Sequence, residues 1–329
     1  AKNNIVGSAA QEIVHSITAF AAYGFPESHA ISFALLTYAS AYLKAHHPAI
    51  FYATLLNAWP MGFYHPATLV KDAQRRGVAV LPIDVCQSAL ACTIPDRAPQ
   101  PARSLRLGLR FVRGLRRQSA EALVHARTDR PLRDLGDLRR RCPALSPREL
   151  AALAELGALS GLLGADDRGP AGARRDALWQ VSGLAAGEDL LGEITEVPAA
   201  PLREMTLAEA IAADYRVSGM TVLPHPLALR RDELRRAGVR AAAELGTAPP
   251  GEVRVAGAVI VRQRPPTAKG FFFLTLEDET GLCNAIVSPD VLAGHAGVLL
   301  QAPALILRGA LQREGGAVSL KVHGAEPLC

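Results

Sequence analysis

The chain has 329 residues, 49% of them hydrophobic, with 28 glycines, 23 prolines and a net charge of +5. That length argues for two or three domains, and the composition excludes a collagen-like, low-complexity or wholly disordered chain. The charge is uneven: residues 1–102 carry +1, 103–148 carry +9, 149–251 carry −5, and 252–329 are neutral. Positive charge gathered in one short segment points to a polyanionic partner. No apolar run reaches the roughly 18–20 residues of a membrane span. Ala30 to Leu43 comes nearest and is broken by Ser32, Thr37 and Ser40. With no signal-peptide pattern either, the expected location is the cytoplasm and no membrane partner is expected. The five cysteines form no CxxC pair and have no His at zinc-ligand spacing, so reduced, buried thiols are expected and no metal. No phosphate-binding glycine loop and no G-x-S-x-G elbow occurs. The sequence opens on Ala1 without Met inside a helical pattern, as a fragment would.

Residues 1–77 read as helical. Ser8 with Gln11 is a capping-box pattern, and Ile13, Val14, Ile17 and Phe20 form one apolar stripe. Tyr23-Gly24-Phe25-Pro26 breaks that helix, and Ser28 is placed to cap the next, from His29 to about His46. This second helix is apolar nearly all round and is expected to be buried. Pro48 and Pro66 open two more helices, ending near Trp59 and Gly77. From 78 to 160 the period changes. Val78 to Leu81 is a strand candidate, and Leu105, Leu107, Leu109 and Phe111 alternate with polar or small residues as a strand with a basic face. The Arg113-Gly114-Leu115-Arg116-Arg117 turn leads into a helix to Arg127. A second helical pair follows, Leu135 to Arg141 and then Ser146-Pro147-Arg148-Glu149 to Gly157.

Residues 161–251 read as a linker with short helices around Arg175 to Val181, Leu207 to Tyr215 and Pro226 to Ala237. Residues 252–329 are β-rich: Val253 to Arg262, Phe271 to Asp278 and Leu282 to Val287 are strands, and Pro289 to His295 is a short helix. Ala304 to Arg313 and Ala317 to Val322 form a hairpin. Three strands, a helix and two strands is the order of an OB barrel. The fold class is therefore multidomain α+β: a helical segment, a tandem helix-hairpin-helix region and a C-terminal OB-fold barrel.

Two features can bind DNA. A basic turn entering a helix offers unpaired N–H groups and a favourable dipole to a phosphate. Here Gly114 permits close approach, Arg113, Arg116 and Arg117 supply charge, and Leu115 is counted with them in the DNA-binding turn. Such paired helices resemble helix-hairpin-helix modules, although Arg116 stands where their second Gly belongs. In the barrel, Arg262, Arg264, Lys269 and Arg308 can meet phosphates, with Phe271 or Phe273 as stacking platforms. Bulges in OB strands leave open which Phe faces outward. The acidic runs Glu277-Asp278-Glu279 and Asp166-Asp167 read as surface or turn residues rather than a two-metal site.

Tyr23-Gly24-Phe25-Pro26-Glu27-Ser28-His29-Ala30 resembles the Y-G-F-x-x-S-H-A motif of bacterial C-family DNA polymerases. Leu56 to Tyr64, Val80 to Val85, Asp214-Tyr215-Arg216, His225-Pro226 and Phe273 to Gly281 narrow the resemblance to the error-prone, damage-inducible branch. Departures are Cys86, Arg116 and Pro266. The resemblance implies that residues 1–77 are the end of the fingers, and that Tyr23, Gly24, Phe25, Ser28 and His29 lie near template and nucleotide. It also implies that the palm, with its catalytic aspartates and Mg2+, has no counterpart in this sequence. The chain alone would then be inactive, binding no cofactor and carrying no catalytic residue. Its expected role is to hold primer-template duplex and single strand during translesion synthesis. Expected partners are DNA, translesion accessory proteins and, indirectly, the sliding clamp, since Gln180 to Leu184 is a poor clamp-binding peptide. A free-standing single-strand-binding protein without catalysis is the competing reading.

Overall fold

The structure is a computed structural model describing residues 7–22, 27–62, 64–96, 100–164, 173–186, 200 and 202–328. Helices α1 (Ser8–Ala22), α2 (Glu27–His46), α3 (Pro48–Ala58) and α4 (Pro66–Arg75) lie where the sequence predicts them. Pro opens both α3 and α4, at positions where a missing N–H costs no helical bond. In α1 the Gln11 amide donates to the Gly7 carbonyl, so the first turn starts one residue before the predicted Ser8 cap.

The surroundings of α2 differ from expectation. Ile31, Phe33, Leu35, Leu36, Tyr38 and Leu43 are exposed rather than buried. The helix is anchored through its C-terminal end, where Lys44 pairs with Asp72 at 2.6 Å. Asp72 also accepts from the buried Tyr52 hydroxyl at 2.5 Å. Apolar periodicity marks a helix that favours cover; it does not guarantee that the same stretch of chain supplies it.

Strand β1 (Ala79–Leu81) runs parallel to β2 (Ser104–Arg106). The predicted strand through Phe111 ends at Arg106, and Leu109 to Phe111 form a 3-10 turn. Leu105, Leu107, Leu109 and Phe111 are all buried, so the alternation marks burial and not a continuous ladder. Gly108 is still extended, but a Cβ there would lie 2.4 Å from the Ala91 carbonyl carbon, and beyond it the Leu109 and Arg110 amides donate to the Ala89 and Leu90 carbonyls instead of continuing the pairing with β1. Among the described residues the α-helices that follow are α5 (Arg117–Asp129), α6 (Leu135–Arg141), α7 (Pro147–Glu155) and α8 (Arg174–Ala186). The predicted capping box at α7 is present, Ser146 and Glu149 exchanging both bonds. One hydrophobic core runs through this region, from Ala49 to Met220, with Tyr52, Leu105, Leu123 and Leu153 fully enclosed.

Helix α9 (Leu207–Ser218) starts at a second capping box, Thr206 with Glu209, and stops at Gly219, whose φ of 76° a residue with a Cβ seldom adopts. Helix α10 (Arg231–Arg236) leads into β3 (Val239–Arg240), a two-residue strand the sequence reading misses. The C-terminal strands are β4 (Glu252–Gln263), β5 (Phe272–Glu277), β6 (Leu282–Val287), β7 (Ala304–Glu314) and β8 (Ala317–Pro327). Helix α11 (Pro289–Gln301) sits between β6 and β7; its backbone breaks from helical geometry at His295, where the predicted helix ends, and a second helical stretch carries on to Gln301. The strands close in the order β4-β5-β6-β8-β7, with β7 returning to β4, and β3 joins β4 outside the barrel. Pairing of β6 with β8 is parallel and the other barrel pairings are antiparallel. This closed five-stranded barrel with a helix before its fourth strand is the expected OB-like arrangement. Val255, Leu274, Leu305 and Leu320 are among the residues filling its interior.

Of the two readings of the Glu277-Asp278-Glu279 run, the turn holds, Asp278 accepting from the Thr280 and Gly281 amides at 2.7 and 2.9 Å, and the surface does not. Glu277 and Asp278 are 3% and 1% exposed. Glu277 accepts from Arg75 of α4 at 2.9 Å, and Asp278 accepts from Arg231 of α10 at 3.0 Å and from the Ala242 amide at 2.7 Å. The acidic run is the joint between the helical body and the barrel. Asp166-Asp167 lies outside the described residues.

Candidate nucleic-acid interface

The hairpin turn is built as the sequence suggests, but its arginines divide. Gly114 has φ 81° and open space where a Cβ would stand, so the backbone is accessible from outside. Leu115 packs against the helical core. The α5 N-cap is Arg116, which offers no side-chain acceptor to the first-turn N–H groups. Arg113 folds back onto the end of α9, donating to the Tyr215 and Arg216 carbonyls at 3.3 and 3.2 Å. Arg116 clamps Glu149, donating to Oε1 at 3.1 Å and Oε2 at 2.9 Å, and its own amide donates to Oε1 at 2.9 Å. Burial would raise the Glu149 pKa, but these bonds and those from Ser146 hold it far below the ordinary carboxylate range. Arg117 projects outward, 81% exposed, with only a neighbouring Glu121 at 2.7 Å for company. Arg148, which sequence reasoning passes over, is also exposed and opens α7 beside the clamped pair.

Much of the +9 segment is therefore internal scaffolding. Arg110 donates to the Asn57 and Trp59 carbonyls at 2.6 and 2.8 Å, and Arg127 holds the Val85 and Ser88 carbonyls, both at 2.6 Å. Arg130 and Arg141 pair with buried Asp137. A charge count along the chain sums guanidinium groups without saying which backbone carbonyls they serve. The second hairpin turn is structural: Gly157 packs against Arg174, itself buried and paired with Asp214 at 2.7 Å.

On the barrel, register decides what the sequence leaves open. Phe272 is buried, Phe271 is 37% exposed, and Phe273 lies half-buried on the outer face. Pairings Gln263 with Phe273, Phe273 with Ile286, and Ile286 with Lys321 form one row across β4, β5, β6 and β8. The next row is Val261, Thr275, Asn284 and Ser319. Apart from Lys321, which stands at the end of the first row, these residues floor a groove of about 520 Å³ whose other wall is Tyr64, His65 and Thr68 from the α3–α4 connection and α4. Arg264 and Lys269 are exposed in the β4–β5 loop, beside Phe271. Arg262 is drawn to the end of α11, donating to the Leu299 carbonyl at 3.0 Å and to the Ala302 carbonyl. Arg308 is set apart from this group: it reaches Glu252 at 3.3 Å, at the far end of β4 from Arg262. Sequence reasoning misses Tyr64, Gln263, Asn284 and Lys321; only cross-strand register and the docking of α4 bring them together.

Tyr23, Gly24 and Phe25 lie outside the described residues. Because α2 starts at Glu27, Ser28 falls inside its first turn and not at the predicted capping position, and His29 is exposed one residue later, its ring 4.4 Å from that of Phe33. Among the described residues no group of three or more His, Cys, Asp or Glu side chains is placed to hold a metal, and no helix is long and apolar enough to cross a membrane.

Residues 77–169 match the model of a helix-hairpin-helix motif family, spanning the two hairpins just described. The whole chain is 46% identical to the error-prone DNA polymerase of Anaeromyxobacter dehalogenans strain 2CP-C, covering 29% of that protein. It is 45% identical to the error-prone DNA polymerase of Alkalilimnicola ehrlichii over 97% of this chain and 30% of the relative. For the error-prone DNA polymerase of Bordetella bronchiseptica the identity is 47%, over 95% of this chain and 29% of the relative. The chain thus spans about 30% of the length of the curated relatives it matches. Identity of this order, collinear from end to end and carrying the hairpin motif, shows that the chain belongs to the error-prone DNA polymerase family, as the counterpart of that portion.

Proposed function

We propose that this chain is the DNA-holding portion of an error-prone polymerase that copies damaged templates in the cytoplasm. The observation that carries the proposal is the first hairpin. An open Gly114, a start of α5 without a side-chain cap and an outward Arg117 lie within one turn, and exposed Arg148 precedes the Glu149 that Arg116 of that turn holds, the chemistry that holds a duplex phosphate without reading sequence. The barrel groove, lined by Phe273, takes the single strand, with exposed Arg264, Lys269 and Phe271 between β4 and β5 as further contacts. Bond-making belongs to a palm carrying Mg2+ in the longer polypeptide, and this portion positions DNA for it. Contact with the clamp passes through translesion accessory proteins.

The test is salt-dependent affinity for primed DNA. Replacing Arg117 and Arg148 with Ala should weaken binding of duplex and reduce the slope of log K against log salt by about two. An unchanged slope overturns the hairpin assignment. Arg116→Ala, by contrast, should act mainly through stability, because it strips a buried Glu149 of its partner.

A further inference from the structure

The barrel groove has a wall that the barrel does not own. Tyr64 belongs to the connection between α3 and α4, is 63% exposed, and faces the same groove as Phe273. The connection is fixed from several sides. Arg110 holds its start through the Asn57 and Trp59 carbonyls, and the Trp59 and His65 rings meet edge-on at 6.4 Å. His65 accepts from the Ala67 amide through Nδ1 at 3.2 Å, while burial and then the charge of Arg113 lower its pKa. Behind the connection, α4 is pinned to the barrel by the Arg75–Glu277 pair.

The groove chemistry is specific in kind. Phe273 offers a ring flanked by Ile286, while Gln263 and Asn284 present amide groups on the same face. Lys321 follows Ser319 by two residues on β8, hence on the same side, and is exposed. Aromatic faces, amide edges and one outward ammonium match an unpaired nucleotide: a flat base, its hydrogen-bonding rim and its phosphate. The volume, about 520 Å³, is that of a small-ligand cleft rather than of a duplex groove.

We propose that Tyr64 and Phe273, one from each module, jointly hold an unpaired DNA base in this groove, with Lys321 on its phosphate. This rests on the reading of the barrel as the single-strand site and extends it: the site is composite, completed by the helical body. Stacking supplies affinity without sequence preference, as a polymerase following arbitrary template requires.

The experiment uses the full chain with single-stranded oligodeoxynucleotides carrying one 2-aminopurine, followed by fluorescence quenching and by affinity across a salt series. Tyr64→Ala should weaken single-strand binding about tenfold and relieve quenching, with the salt slope unchanged. Tyr64→Phe should restore both, because the ring and not the hydroxyl stacks. Lys321→Ala should lower the slope by about one and leave quenching in place. If the unaltered chain binds single strands but Tyr64→Ala binds and quenches equally, the composite site is wrong while the barrel reading stands. If the unaltered chain binds no single strand, the barrel reading fails and takes this proposal with it. Circular dichroism of Tyr64→Ala separates lost stacking from lost structure; at 63% exposure the side chain is not needed for folding.

Discussion

Arg75 and Glu277 meet at 2.9 Å across 202 residues of sequence, the arginine on α4 and the carboxylate at the end of β5, both largely enclosed. Burial pushes the Glu277 pKa up, and the Arg75 guanidinium draws it back down. Beside them Arg231 holds Asp278 and Glu279, so two arginines of the helical part seize three consecutive acids of the barrel. Removing Arg75 should leave a buried carboxylate without its cation. Arg75→Ala is expected to cost about 3 kcal/mol, and adding Glu277→Gln should recover much of it. Denaturant titrations of both single variants and the double variant measure that coupling; additive losses would show that the pair does not join the modules.

A steric prediction concerns the barrel. β7 and β8 shift register between Arg308 and Gly309, and a Cβ on Gly309 would stand 2.1 Å from the Lys321 carbonyl oxygen. Gly309→Ala must therefore separate the two strands. A loss of about 3 kcal/mol is expected. Ala at Gly246, where a Cβ has nothing within 4 Å, serves as the comparison and should be nearly neutral.

His225 makes the fold acid-sensitive. Burial first, then the charge of Lys71, lowers its pKa from 6.5 to about 4. Between those values an unfolded chain takes up a proton that the folded one refuses. Stability is thus complete above pH 6.5 and falls as pH drops toward 4. Between pH 7 and 5 the loss from this one residue is about 2 kcal/mol. His225→Asn keeps an acceptor for the Leu227 amide, which the His Nδ1 now serves at 3.2 Å. Thermal melts at the two pH values should show a smaller difference in that variant.

The exposed face of α2 gives a fourth expectation. Leu35 and Tyr38 are 68% and 76% exposed on a helix anchored at its far end. The chain should bind a hydrophobic dye, and Leu35→Lys with Tyr38→Lys should reduce that signal while leaving the melting temperature unchanged. A drop in melting temperature would mean the face is covered within the chain.

Local chemistry was readable in the residues themselves. Pro48, Pro66, the Ser146–Glu149 box and the alternation of the barrel strands act within a few positions, so periodicity and capping rules reach them. Even the Leu105 to Phe111 stretch was legible as buried, though its backbone was not, because the Leu109 and Arg110 amides find their acceptors in Ala89 and Leu90, some twenty residues back, where Leu109 to Phe111 form a 3-10 turn.

Charge was the least transparent. The 103–148 segment carries +9, a sum the residues alone determine. Only the folded chain decides that Arg110, Arg113 and Arg127 bind backbone carbonyls, that Arg116 belongs to Glu149, and that Arg117 and Arg148 face outward. The same holds for the acidic run at 277–279, which became a buried joint, and for Tyr64, which became the wall of a groove. Sequence determines which groups a chain owns and which turn they sit in. Partners tens or hundreds of residues away determine what those groups do, since a guanidinium or carboxylate takes its role from the groups within about 3 Å of it.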